Sequence, residues 1–156
     1  MQILNDISYG DFHLHSSTLS DGINSIDEIV ILAGRLGYQK IAITDHSQGY
    51  MEAFGFKRRT HYGIIHSGRW KNIHNDVDVR FGVEADLINE KGEICRNIQG
   101  MEPEFVVLSV HKPVYSGLPE SVRQGYLNAI QRHHSHINCI GHLCAKTFSS
   151  ILGPDD

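Results

Sequence analysis

Short apolar runs alternate with stretches of helical periodicity along most of this chain. Residues 9–15 keep the two-residue rhythm of a strand, and Asp21-Gly22 marks a turn. Ser25 with Glu28 three positions on has the form of a capping box. Ile26, Ile29, Val30, Ala33 and Leu36 then recur at helical spacing until Gly37 stops the pattern. Residues 40–44, rich in β-branched side chains, predict a buried second strand that runs into Asp45 and His46. The stretch from 50 to 75 is the least regular. It carries Lys57-Arg58-Arg59 and predicts a helix over 60–74, weakened by Gly63 and Gly68. Residues 77–84 alternate as a third strand, and 88–94, with Lys91-Gly92 at the centre, read as a hairpin excursion. Residues 105–110 form an apolar fourth strand that ends at His111. A helix follows Pro119 with Val122, Tyr126, Leu127 and Ile130 on one side, and 137–141 form a fifth strand with His142 directly after it.

Five alternations of strand and helix predict an α/β fold with a parallel sheet. In such folds ligands bind at the carboxyl ends of the strands. The predicted strand ends carry His13 and His15, then Asp45 and His46, then Glu84, His111 and His142. Two histidines spaced His-x-His at a strand end share one face, because side chains in a strand repeat every two residues. Taken singly, each of these positions also has a plainer reading. They could be a solvated histidine pair, an Asp that caps the next helix, a surface carboxylate, a packed core histidine at 111, or a helix-start residue at 142. Five strand ends that each deliver a metal-capable side chain at one end of one sheet favour a shared site. The remaining histidines read differently: His133, His134 and His136 suit the C-terminus of a helix in solvent. His61, His66 and His74 lie on the irregular helix, where His61 and His66 could face the site across a loop.

Composition narrows the picture further. At 156 residues the chain is one ordinary domain's length, and 40% hydrophobic with 21% charged residues is enough for a core and excludes a disordered tail. Fourteen Lys plus Arg against 18 Asp plus Glu give a net charge of −4, which argues against a protein devoted to gripping nucleic-acid backbones. Eleven histidines nearly equal all the Lys and Arg together, and imidazole is the commonest metal ligand. No run of 18 apolar residues predicts a membrane span, and the opening residues lack the features of a secretory signal. Cys95, Cys139 and Cys144 form no C-x-x-C pair. Reduced thiols in a cytoplasmic protein are the plain reading, with Cys139 and Cys144 as small buried side chains or, alternatively, zinc ligands. Lys57, Arg58 and Arg59 fall on the side of the expected site and are candidates to hold a substrate phosphate, as are Lys112 and Lys146.

The order His-x-His, Asp-Gly, Thr-Asp-His, Gly-x-Glu, Ser-Val-His and Gly-His resembles the PHP superfamily (polymerase and histidinol phosphatase) over roughly residues 9–145. Residues 10–22 and 43–47 look like its stand-alone members and the domains attached to bacterial family X polymerases. The resemblance implies a distorted (β/α)7 barrel holding two or three divalent metal ions and hydrolysing phosphate esters. By position, His13, His15 and Glu84 would hold the first metal. Glu84, His111 and His142 would hold the second, with Glu84 bridging, and Asp21 and His46 would belong to the third. An α/β barrel takes about 250 residues, so this chain is expected to be a single domain with about five βα units, truncated at its C-terminus. The family's closing Asp-x-His has no counterpart, and Leu143 stands where many members have proline. Open barrel edges would invite oligomerisation.

On this reading a metal-bound hydroxide attacks the phosphorus of a monoester or short diester. Glu84 and Asp45 are the catalytic candidates, with Asp45 orienting a ligating histidine. Zinc, manganese or iron all suit imidazole and carboxylate ligands. A phosphorylated small molecule is the expected substrate. Nucleic acid stays open as a substrate, since some relatives trim strands. Two alternatives stand beside it: a metal-dependent amidohydrolase, and a degenerate module that keeps the cluster for structure or partner binding.

Overall fold

The computed structural model describes residues 10–58, 60–62 and 74–143 of the chain. In order these form β1 (Gly10–Leu14), α1 (Ile26–Arg35), β2 (Lys40–His46), α2 (Gln48–Ala53), β3 (Asp78–Leu87), β4 (Ile94–Cys95) and β5 (Phe105–Ser109). A 3-10 turn (Pro119–Ser121) then leads into α3 (Val122–His133), followed by β6 (Cys139–Ile140). The strands lie in the order β1-β2-β3-β5-β6, each neighbour parallel to the next, with β4 antiparallel on β3. This sheet curls into a half-barrel with alternating helices, an incomplete α/β barrel of the expected kind. Among the described residues no helix is long and apolar enough to cross a membrane.

The local signals act where they were expected. Ser25 Oγ accepts from the Glu28 amide (3.3 Å), and Glu28 accepts from the Ser25 amide (2.8 Å). Past α1, Gly37 adopts φ 81°, and the Tyr38 and Gly37 amides donate back to the Ala33 and Gly34 carbonyls, which closes a Schellman turn.

Alternation along β3 divides the sheet into two chemistries. Val79, Phe81, Val83, Ala85 and Leu87 are buried in one core with Ile26, Val30 and Ala33 of α1 and Val122, Tyr126 and Ala129 of α3. The intervening Gly82, Glu84 and Asp86 face the other way, into the curl. Register carries the division across strands, because His46 pairs with Glu84 and Asp45 with Val83. His46 therefore shares the inner face with Glu84, whereas Asp45 shares the outer face with Val83.

Several expectations need correcting. Glu84 does not end its strand; β3 runs on to Leu87, because β5 pairs with it through Asp86 and β4 pairs with Asp86 and Leu87 on the edge where β2 stops. The short helix α2, capped by Ser47, occupies part of the stretch read as irregular. Residues 63–73 of the predicted 60–74 helix lie outside the described residues. On α3 the buried face is Val122, Gly125, Tyr126 and Ala129, while Leu127 and Ile130 are exposed. Cys139 is exposed, so it is not the buried side chain expected; Cys95 is a partly buried free thiol, and Cys144 lies outside the described residues.

Gly82 is where the inner face is tightest. A Cβ there would sit 2.5 Å from the Phe105 carbonyl oxygen and 2.9 Å from Thr44 Cγ2. The first obstacle is backbone of the neighbouring strand, so relief requires parting β3 from β5 beside Glu84. Gly82→Ala should destabilise the fold by about 2 kcal/mol, read as a lower urea midpoint at unchanged slope. An unaltered midpoint would show that the strands yield freely.

Candidate metal centre

The centre is built around Glu84, whose side chain is 1% exposed. Five imidazoles converge on it from the ends of the other four parallel strands. Glu84 Oε1 lies 3.2 Å from His13 Nε2, 2.6 Å from His142 Nε2 and 3.5 Å from His111 Nε2. Glu84 Oε2 lies 3.1 Å from both His15 Nε2 and His46 Nδ1. Asp21, in the turn after β1, reaches the far nitrogens of two of these rings: 3.1 Å to His15 Nδ1 and 3.5 Å to His46 Nε2. All seven residues proposed from the sequence as metal ligands thus meet at one place.

Gly141 admits this convergence. A Cβ on it would lie 2.3 Å from Ser109 Oγ and 3.3 Å from His13 Cε1. The Gly-His pair is therefore a close-packing requirement followed by a site residue, and His142 itself takes a positive φ of 20°.

The electrostatics follow from burial and crowding. Burial by itself would raise the Glu84 carboxyl, but hydrogen bonds from His111, His13, His142 and His15 hold it far below the usual carboxylate range. Burial pulls His111 down, yet Asp86 and Glu84 outweigh it and push this imidazole up to about 9. His15 is raised in the same way, by Glu84 and Asp21 against burial. His46 goes the other way: burial lowers it, and the neighbouring His15 and His111 add to that against the pull of Glu84.

The donor set fits divalent cations. Two carboxylate oxygens offer about four lone-pair positions, fewer than the five ring nitrogens aimed at them. The buried His46 Nδ1 has no hydrogen-bond partner despite its 3.1 Å approach to Glu84. Imidazole and carboxylate groups crowded this closely are what a metal ion between them would reconcile. Three sets bring their ligand atoms within 4.8 Å of one another: His13, His15 and Glu84; His15, Asp21 and His46; and His46, Glu84 and His111.

A model of the PHP domain matches residues 11–151. The chain belongs to the PHP domain family. Among curated relatives, it is similar to a probable phosphatase YcdX of Escherichia fergusonii, with 25% identity over 107 residues that cover 68% of this chain and 42% of that protein. It is also similar to a probable phosphatase YcdX of Shigella flexneri serotype 5b, with 23% identity over 129 residues, 81% of this chain and 51% of that protein. The chain thus spans about half the length of the curated relatives it matches.

Within this PHP domain the acidic positioning group is not the one expected. Among the described residues Asp45 makes no hydrogen bond or ion pair with a histidine, although its charge helps to raise His15. It is buried on the outer face, where the Ser16 amide (2.6 Å) and hydroxyl (2.7 Å) donate to it, and burial raises it to about 6. Its neighbour His46 points inward, so strand alternation keeps Asp45 from the rings. The carboxylate that does orient a histidine is Asp86, 2.7 Å from His111 Nδ1 and itself receiving the Ser47 hydroxyl. Its place two residues after Glu84 was the available signal.

The basic run divides as well. Arg58 donates to the Leu19 carbonyl and, at 2.7 Å, to the His46 carbonyl, so it clamps the turn carrying Asp21 against β2. Lys57 and Lys112 are exposed, while Arg59 and Lys146 lie outside the described residues. Tyr50, not anticipated, stacks on His46 with ring centroids 3.4 Å apart and meets His111 edge-on at 4.8 Å. Of the histidines set aside, His134 and His136 are exposed and His74 pairs with Asp27 at 2.5 Å; His66 lies outside the described residues.

A pH dependence follows for metal-stripped protein. His111 stands at about 9 in the folded chain against an ordinary 6.5. Between these values the folded state binds more protons than the unfolded one, so stability falls as pH rises. The contribution is complete below pH 6.5 and lost through pH 9. Tm of chelator-treated protein should drop across this window, and Asp86→Asn should flatten the drop. A profile that rises with pH would contradict the assignment.

Proposed function

We propose that this PHP domain is a metal-dependent phosphoesterase that hydrolyses a phosphate monoester or short diester. The observation that carries the reading is the buried Glu84 carboxylate ringed by five imidazoles at 2.6–3.5 Å. Family membership and the relatives named as probable phosphatases support it.

His13, His15 and Glu84 would hold one divalent ion, and Glu84 with His111 and His142 a second. Asp21 and His46, joined by His15, would serve a third. Such ions supply an activated water near neutral pH and positive charge against the oxygens of an in-line displacement at phosphorus. The chain's residues supply the rest. Asp86 fixes the His111 ring through Nδ1 and leaves Nε2 directed at the cluster. Asp45 and Arg58 act one layer further out, where they hold the turn after β1 on β2 and so fix the spacing of His15, Asp21 and His46. Side-chain exposure grades from His46 and His111 inward to His13, His142 and Asp21 at the rim.

Manganese-loaded protein should hydrolyse p-nitrophenyl phosphate and leave simple amides intact. Glu84→Gln removes a buried charge, should leave the fold intact, and should lose both metal and hydrolysis. A normally folded Glu84→Gln as active as a measurably active parent would refute the catalytic reading. In the same assays Asp86→Asn should weaken metal affinity about 10–100-fold. An unchanged affinity would mean that Asp86 does not orient His111 for a metal.

A further inference from the structure

Beside the metal centre, three aromatic rings step outward in contact with one another. Tyr50 lies flat on His46, Phe54 follows at 4.6 Å between centroids, and Phe56 stacks on Phe54 at 5.8 Å. The two phenylalanines are 47% and 50% exposed, although large apolar rings gain most from burial. They do not hang on a slack loop. The Phe54 amide donates to the Tyr50 carbonyl (3.1 Å) and the Phe56 amide to the Met51 carbonyl (2.8 Å). Two residues on, Arg58 fastens the segment to β2 through the His46 carbonyl. A rigid aromatic ledge thus begins at a proposed ligand and runs out into solvent.

We infer that this ledge is the leaving-group subsite of the domain, selecting phosphate esters whose alcohol carries a planar aromatic ring. The inference rests on the phosphoesterase reading above. Its ground is continuity: Tyr50 touches both His46 and His111, so a phosphate at the cluster has the ledge as its adjoining apolar surface. Half-exposed aromatic rings suit a flat π-system better than an aliphatic or sugar group, because stacking buries apolar surface on both partners without requiring hydrogen bonds.

The test uses two non-hydrolysable ligands, ethylphosphonate and 2-phenylethylphosphonate, titrated calorimetrically into manganese-loaded protein. The phenyl compound should bind on the order of tenfold more tightly. Most of that preference should disappear in Phe54→Leu/Phe56→Leu, which keeps apolar bulk but removes the rings, while ethylphosphonate affinity stays the same. Equal binding of the two ligands by the parent, or a preference that survives in the leucine variant, overturns the ledge assignment and leaves the phosphoesterase reading intact. If neither phosphonate binds, the phosphoesterase reading fails and this inference with it. If the leucine variant instead alters self-association and leaves both affinities unchanged, the ledge is a contact between copies of the chain and the subsite is refuted.

Discussion

A carboxylate withdrawn from water must be met by positive charge, and the arrangement of this domain turns on that requirement at Glu84. Desolvating an ion costs several kcal/mol even after relaxation. No lysine or arginine makes an ion pair with Glu84 among the described residues; the compensating groups are imidazoles, which are cationic only when protonated. The charge can thus be balanced by protons on histidines such as His15 and His111, or by cations coordinated among them. The two alternatives compete for the same nitrogens, so occupancy by metal, protonation and fold stability are linked quantities.

The sheet makes this concentration of groups achievable. Parallel strands bring their carboxyl ends to one level, and residues distant in sequence arrive there without any long loop having to be ordered. His13 and Glu84 are on strands separated by β2, yet curling of the sheet brings their side chains to 3.2 Å. Along β3 the inner face is left to small and acidic residues, because the outer one carries the hydrophobic load. Val79, Phe81, Val83, Ala85 and Leu87 bind the helices, which leaves Gly82, Glu84 and Asp86 free for spacing and charge.

Much of this was legible in the linear pattern, because strand ends and alternation are local signals. His13, His15, His46, His111 and His142 could be placed from the end of an apolar run, and α1 from its capping box. What escaped depended on direction or distance. Asp45 and His46 are adjacent in sequence but point to opposite faces, so proximity along the chain mistook an outer-face tether for a partner of the rings. Asp86 was hidden because β3 was read three residues too short, and the pairings with β4 and β5 that extend it are not local. Arg58 reads as part of an exposed basic run until the carbonyls of Leu19 and His46, brought in from other segments, are seen to accept from it. At six residues α2 is too short for periodicity to announce it, and Tyr50 went unnoticed with it.

His46 and His111 show how finely the second layer sets the chemistry of the first. Their rings lie 4.9 Å apart and both approach Glu84, yet one is driven toward the neutral form and the other toward the cation. Burial presses both toward neutrality. The difference lies at the second nitrogen. His111 Nδ1 meets the buried Asp86 at 2.7 Å, whereas His46 Nε2 meets Asp21 only at 3.5 Å and across a partly exposed gap. A carboxylate placed two residues along one strand therefore helps to raise His111, while burial and the neighbouring imidazoles of His15 and His111 lower His46.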